Sequence, residues 1–273
     1  MKLERWKDVV LLRPDPQVIW KGGDLYGAEG IHAVYRRSEK GGGNWEVRKN
    51  FPQEWTVSYG DLTFKVKPMG FKHTGLFPEQ AVNWDAMRSL ISRAKADGRE
   101  VKVLNLFAYT GGASVACAKE GALVTHVDAA KGMVERAGEN ARLSGVDSGI
   151  RYIVDDCMKF VAREIRRGNR YDAIIMDPPS YGRGPNGEMW KIEECLFDFV
   201  KNCAQLLTEK PLFFLINSYT TGLQPAVLKN ILTITLKDFK GEIEAYEVGI
   251  PTDDGIALPC GASGLFTGED YAG

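Results

Sequence analysis

The residues that could do chemistry in this 273-residue chain stand at the ends of apolar runs. The most informative is IIMDPPSYG, residues 174–182, where an apolar run stops on Asp177 and is followed at once by Pro178 and Pro179. A structural turn, such as one that starts a helix, needs only one such breaker. Two prolines fix φ and lack N–H groups, so they make a stiff corner whose carbonyl oxygens point outward. With the Asp177 carboxylate, those oxygens can accept from an amino group. Tyr181 adds a flat ring suited to stacking on a flipped base.

Three other runs end in a comparable way. NLFAYTGGAS, residues 105–114, carries Gly111 and Gly112, which allow a sharp turn and close backbone approach to a ligand at a helix N-terminus. An ordinary strand–helix turn would read the same. ALVTHVDA brings Asp128 to a strand end a little under 20 residues further on. A carboxylate there can accept from both hydroxyls of a ribose, or cap the following helix. IRYIVDD closes on Asp155 and Asp156: one suits an adenine amine, with Asp156 favoured, and the other a helix cap. No GxGxxG is present, so the nicotinamide and flavin fingerprint is not met.

These ends need elements to position them. From Val101 onward, apolar runs alternate with helical patterns: VKVLNLFAY, a helix over 112–120, ALVTHVDA, a helix from 131 to about 144, IRYIVDD, MKFVAREIRR, YDAIIMD, ECLFDFVKNCAQLL, LFFLINS and PAVLKNILTITL. GEIEAYEVGI and LPCGASGLFT read as a closing pair. Such alternation predicts an α/β fold, a parallel sheet with helices on both faces, and a site at the carboxyl ends of its strands. Ahead of it, DVVLLR, QVIWKG, IHAVYRR, NWEVRKNF, EWTVSYG and LTFKVKPM are short β-type runs, expected to form a small antiparallel sheet. SEKGGGN, residues 38–44, reads as a turn or loop.

The composition is that of an ordinary globular protein, 44% apolar and 26% charged. The N-terminal MKLERWKDVVLL lacks the apolar stretch of a leader, and no segment approaches a membrane span. Five scattered cysteines without a CxxC pair argue against a disulfide framework or a zinc site, and point to a reducing cytoplasm. No metal is expected, and nothing indicates an oligomeric state. Net charge is −1, with seven acids and no Lys or Arg in residues 241–273. The rest is mildly basic, which permits a polyanionic partner without requiring one.

Taken together, VLNLFAYTGG, VDAAKGMVERAGEN, VDDCMKF and DPPSYG resemble the class I S-adenosylmethionine-dependent methyltransferases, and within them the group of 23S ribosomal RNA cytosine-5 methyltransferases. GFKHTGLFPEQAVNWD is similar to that group's segment just before the catalytic domain, and the resemblance covers residues 70–218. It implies a Rossmann-like, mostly parallel seven-stranded sheet over 76–273, preceded by a β-rich subdomain over 1–75. It also implies S-adenosylmethionine as cofactor and an RNA base as methyl acceptor. Asn105, Phe107, Ala108, Tyr109, Thr110, Gly111 and Gly112 would hold the methionine end of the cofactor. Asp128 and Ala129 would hold the ribose and Asp156 the adenine, while Phe77 and Gln80 close over the cofactor. Asp177, Pro178, Pro179 and Tyr181 would face the transferred methyl.

The chain departs from that group in two ways. An N-terminal RNA-binding domain of the pseudouridine-synthase type, common in that group, is not expected within these residues. Carbon-5 methylation needs a cysteine to add at carbon 6, yet the matching positions read Ser180 and NSYTT, residues 217–221. Cys157 and Cys195 fall on helical patterns, which leaves Cys260 as a nucleophile or a structural residue. Nitrogen methylation is chemically easier with the residues present. A small-molecule or protein acceptor, or cofactor binding without turnover, stays open. GRGPNGEMWKIEE, residues 182–194, reads as a mobile lid whose Arg183 and Lys191 touch phosphate, or as a solvated loop. His126 reads as a core residue and His73 as a neighbour of the cofactor segment. The front aromatics Trp20, Tyr35, Trp45, Trp55 and Tyr59 read mainly as core.

Overall fold

A computed structural model describes the chain except residues 22, 39–41, 71, 184–188 and 273 and the side chain of Arg183. Two compact units emerge, Met1–Pro78 with Pro251–Leu258, and Glu79–Ile250 with Pro259–Gly273. Among the described residues, no helix is long and apolar enough to cross a membrane.

In the first unit, β1 (Lys2–Trp6), β2 (Val9–Arg13), β3 (Ala33–Arg37) and β4 (Gly43–Val47) form one sheet in that order, and β5 (Trp55–Tyr59) and β6 (Leu62–Val66) form a hairpin. The sheet is not wholly antiparallel, because β2 and β3 pair in parallel. A parallel pair requires a long crossover, which residues 14–32 supply. QVIWKG, expected as a strand, lies in that crossover. Pro14 and Pro16 cannot donate to a ladder, and the Asp15 carboxylate accepts from the Gln17 N–H at 3.0 Å, which makes a turn instead. Ile19 is left 89% exposed. KLERW, unmarked by any clear alternation, becomes β1 because Glu4 receives the Arg13 guanidinium on both oxygens, at 2.6 and 2.8 Å. The anticipated loop at 38–44 falls partly outside the described residues, and Gly43 and Asn44 already belong to β4.

The elements of the second unit are α1 (Ala81–Ala96), β7 (Lys102–Leu106), α2 (Gly112–Lys119), β8 (Leu123–Asp128), α3 (Lys131–Leu143), β9 (Ile150–Val154), α4 (Cys157–Arg167), β10 (Ala173–Met176), β11 (Tyr181–Arg183), β12 (Met189–Lys191), α5 (Ile192–Ala204), β13 (Phe213–Ser218), α6 (Pro225–Thr235) and, but for Pro251, Ala257 and Leu258, β14 (Gly241–Pro251) and β15 (Ala257–Gly268). The seven-stranded sheet has the order β14-β15-β13-β10-β7-β8-β9. From β13 through β9 all neighbours are parallel, and β15 returns antiparallel to β13. Helices α1 to α3 pack together, as do α4 to α6, one layer on each face. Strand alternation sorts the side chains: Leu104 and Leu106 join Phe160, Phe199 and Leu228 in one core, while Asn105 turns toward α2.

The chain winds outward from β7 to β9 and then crosses back to β10 on the other side of β7. The crevice outside a parallel sheet opens at such a reversal. It falls between the carboxyl ends of β7 and β10, where the Asp177 N–H reaches the Leu106 carbonyl at 3.4 Å.

Candidate active site

After β7 the backbone makes a cramped turn. Phe107 (φ 53°), Tyr109 (φ 50°) and Gly111 (φ 85°) are left-handed, the first two without glycine's freedom. Neighbouring groups hold them there. The Phe107 N–H points at the Cys157 sulfur at 3.2 Å, Ala108 N–H donates to the Val127 carbonyl at 3.1 Å, and the Thr110 carbonyl accepts from the Asn140 amide at 2.8 Å. Gly111 and Gly112 have a packing reason as well. A Cβ at Gly111 would stand 2.7 Å from Ala137 Cβ, and one at Gly112 would stand 2.8 Å from the Trp84 ring. The glycine pair therefore lets α3 and α1 close against the turn.

Asp128 spans two strand ends. One carboxylate oxygen accepts from the Tyr109 N–H at 2.8 Å and the other from Ala130 N–H at 2.8 Å. It is not the cap of α3, whose N-cap is Ala130. Each oxygen keeps a second lone pair, so the group fits a pair of sugar hydroxyls. Ala129 beside it is exposed. At the next strand end the helix cap falls on Asp156 rather than on Asp155. Asp156, favoured for the adenine, is itself the cap of α4, accepting from the Lys159 N–H at 2.9 Å. Asp155 pairs with Arg163 and accepts from the Asp156 N–H. A carboxylate one residue nearer the helix matches N-cap geometry, so the second acid takes that place.

Asn105 is buried and its amide donates to Ser114 Oγ at 2.9 Å, which in turn meets His126 Nδ1 at 2.9 Å. Its side chain thus braces the turn from beneath. His126 is a core residue, as read from the sequence, although its Nε2 has no partner among the described residues, and burial pushes the imidazole down to about 4. Gln80 is engaged at both ends of its amide, donating to Tyr219 Oη at 2.8 Å and accepting from Asn83 at 2.8 Å. Asn83 also reaches Asn217 and Ser263 and receives the Tyr246 hydroxyl, so one buried polar cluster joins the start of α1 to β13, β14 and β15. Phe77 and His73 lie in the first unit, edge to face with centroids 5.4 Å apart.

At the end of β10, Pro178 is buried and Pro179 exposed. Asp177 is partly accessible, yet the protein around its carboxyl strips it of water. That desolvation, with the like charge of Glu79, pushes it from the usual 3.8 up to about 7. The corner's carbonyls are not all open: Pro179 O accepts the Trp190 indole N–H at 2.6 Å. Ser180 Oγ meets Thr220 Oγ1 at 2.6 Å, and Ser180 O accepts from Ile192 N–H at 3.1 Å. Tyr181 is 51% exposed, and its hydroxyl donates to the Met189 sulfur at 3.3 Å across a β11–β12 hairpin. That hairpin occupies the segment read as a lid. The tip, 184–188, and the Arg183 side chain lie outside the described residues, and Lys191 pairs with Glu194.

Among the cysteines, Cys117, Cys157 and Cys203 are buried, and burial pushes all three thiols up. Cys260 is half-buried on β15, two residues before Ala262, which pairs with Ser218 at the end of β13. No cluster of His, Cys, Asp or Glu among the described residues could hold a metal ion. Glu79, Tyr219 and Trp190 are the neighbours that sequence reasoning missed. Glu79 sits in the quoted GLFPEQ and Tyr219 in the quoted NSYTT, but nothing local ties either to Asp177.

A seven-stranded sheet wound both ways, a glycine turn after its first parallel strand and acids at the next three strand ends define a doubly wound α/β protein with its ligand crevice at the strand ends. The chain matches the S-adenosylmethionine-dependent methyltransferase family over residues 25–193, and it belongs to that family. The solved S-adenosylmethionine-dependent methyltransferase from Agrobacterium tumefaciens is 32% identical, with a TM-score of 0.89 over 97% of this chain and 86% of that one. Ribosomal RNA large subunit methyltransferase K/L of Magnetococcus marinus is 32% identical over 183 residues, 66% of this chain and 24% of that protein. The protein of the same description from Shewanella frigidimarina is 32% identical over 194 residues, covering 67% and 26%. The chain thus spans about a quarter of the length of these curated relatives. Its cofactor is S-adenosylmethionine.

Proposed function

We propose that the protein methylates a base of ribosomal RNA, with a ring or exocyclic nitrogen as the acceptor. The observation that carries the nitrogen reading is Asp177. It stands at the sheet's reversal point, followed by a stiff proline pair and held near neutrality by desolvation and Glu79. The RNA reading is supported by the relatives described as ribosomal RNA large subunit methyltransferases.

S-adenosylmethionine, when bound, supplies a methyl group on a positively charged sulfur that leaves as a neutral thioether. The residues 105–112 would receive the methionine end, Asp128 and Ala129 the ribose and Asp156, through the carboxylate oxygen that its cap bond leaves, the adenine, with Gln80 contributing from the start of α1. Asp177 accepts an N–H of the acceptor, orients the nitrogen lone pair and takes the proton released as the bond to carbon forms. The corner supplies orientation, which is where most of the rate of an in-line displacement comes from. Tyr181, half exposed, offers a stacking face for the base. The catalytic domain begins near residue 76, and five free cysteines suit a reducing cytoplasm.

Transfer of tritiated methyl from labelled S-adenosylmethionine to an unmodified large-subunit ribosomal RNA transcript, followed by nucleoside digestion, tests both parts. Label in an N-methyl nucleoside is the expected result. Label only in small amines or proteins would replace the RNA reading, consistent with the net charge of −1. Label at cytosine carbon 5 would favour a second reading, in which Cys260, beside the end of β13, adds to the ring.

A further inference from the structure

Trp190 stands in the middle of β12 and is 7% exposed. Its indole N–H reaches Pro179 O at 2.6 Å, a short bond for an N–H donor. Its ring lies 5.4 Å from that of Phe107 and 5.6 Å from that of Phe199, and those two are 5.7 Å apart. Phe107 belongs to the left-handed turn after β7, and Phe199 to α5. One side chain therefore touches both the second proline of the acceptor corner and a residue of the cofactor turn.

The corner needs an outside donor. Pro178 and Pro179 have no N–H with which to fix themselves by backbone pairing. What anchors the corner comes from elsewhere: Trp190 on Pro179, Ile192 N–H on the Ser180 carbonyl and Thr220 on the Ser180 hydroxyl. Of these, Trp190 also packs its ring on Phe107 of the cofactor turn. A carbonyl oxygen has two lone pairs, so the indole leaves one free for an acceptor while it sets the direction of the peptide group.

We propose that Trp190 is a positioning residue for methyl transfer: its N–H orients the proline corner while its ring fixes that corner's distance from the cofactor turn. The inference rests on reading the corner as the acceptor side. Misplacement of reacting groups by about 1 Å can cost on the order of 10²-fold in rate, so loss of one anchor registers in turnover before it registers in binding.

The full-length chain carrying Trp190→Phe tests this, since phenylalanine keeps the ring contacts and removes the donor. Three measurements are made: S-adenosylhomocysteine affinity by calorimetry, hydrogen exchange of the peptide covering 177–182, and the single-turnover rate with the ribosomal RNA transcript at saturating cofactor. The expected result is affinity within about twofold, exchange at Ser180 and Tyr181 faster by about tenfold, and a rate lower by about tenfold. Unchanged exchange and rate overturns the inference. So does an affinity that falls in step with the rate, because the tryptophan would then act on the cofactor turn alone. If the wild-type chain labels no RNA, the acceptor reading fails, while the exchange result still decides whether Trp190 holds the corner. A Trp190→Phe chain that melts far below wild type, with exchange raised throughout, also overturns the proposal in favour of a purely structural role.

Discussion

The Asp128 carboxylate accepts the backbone N–H of Tyr109 at 2.8 Å, so the end of β8 holds in place the turn that follows β7. One side chain thereby sustains a strained left-handed residue and, on the proposed reading, presents oxygens to the sugar. Removing it should act on cofactor binding through both routes. Asp128→Ala is expected to weaken S-adenosylmethionine binding by roughly 30-fold or more, and Asp128→Asn by less, since an amide oxygen can keep one of the two bonds. Calorimetry on the two variants checks the order; equal, small losses would remove Asp128 from the cofactor site.

Asp177 links activity to pH. Its carboxyl ionises near 7 in the folded chain, against 3.8 ordinarily, because burial and Glu79 disfavour the charged form. In the proposed role of proton acceptor it would work only when ionised, so the single-turnover rate should climb through about pH 7 and level off above it. The stability sign runs the other way. Between the two values the folded state binds more protons than the unfolded chain, so this group's contribution is lost as pH rises from about 4 to 7. Asp177→Asn should flatten both dependences, as measured by denaturant titration and rate profiles.

If the side chain serves the acceptor rather than the adenosyl group, as proposed, Asp177→Ala should abolish transfer while cofactor affinity stays within about tenfold. Parallel loss of affinity and rate, read by calorimetry and label transfer, would assign it to the cofactor instead.

Gly111→Ala brings a Cβ to 2.7 Å from Ala137 Cβ in a backbone conformation, φ 85°, that disfavours side chains. The expected cost is about 1–3 kcal/mol of stability together with weaker cofactor binding, since the turn and α3 must separate. Thermal unfolding with and without S-adenosylhomocysteine measures both; an unchanged melting temperature would show that α3 yields freely.

Cys260→Ser separates the two chemistries. Full transfer by the variant is the outcome that nitrogen methylation requires, and loss of all transfer with intact cofactor binding is what a thiol addition to carbon 6 requires. The label-transfer assay reads it directly.

What the sequence determined by itself was the part that rests on local period and on chain chemistry. Apolar runs alternating with helical spacing from Val101 onward were enough to place β7 to β10, β13 and their helices, and the acids at 128, 155, 156 and 177 were visible as strand ends. The resemblance of VLNLFAYTGG and DPPSYG pointed to S-adenosylmethionine, and the family match bears this out. The strand β1 and the β11–β12 hairpin carried no comparable periodicity and emerged only from packing, whereas α1 shows Trp84, Met87, Leu90, Ile91 and Ala94 at helical spacing although it was not among the expected elements. Tertiary structure also decided the parallel pairing of β2 with β3, the choice of Asp156 over Asp155 as cap, and the direction of Asn105 toward Ser114. It alone brought Trp190 to Pro179, Gln80 to Tyr219 and the charge of Glu79 to Asp177. Local periodicity reports which face of an element is buried. Which distant donor, ring or charge meets that face depends on strand order and on loops that fold back over it, and no short stretch of sequence encodes that.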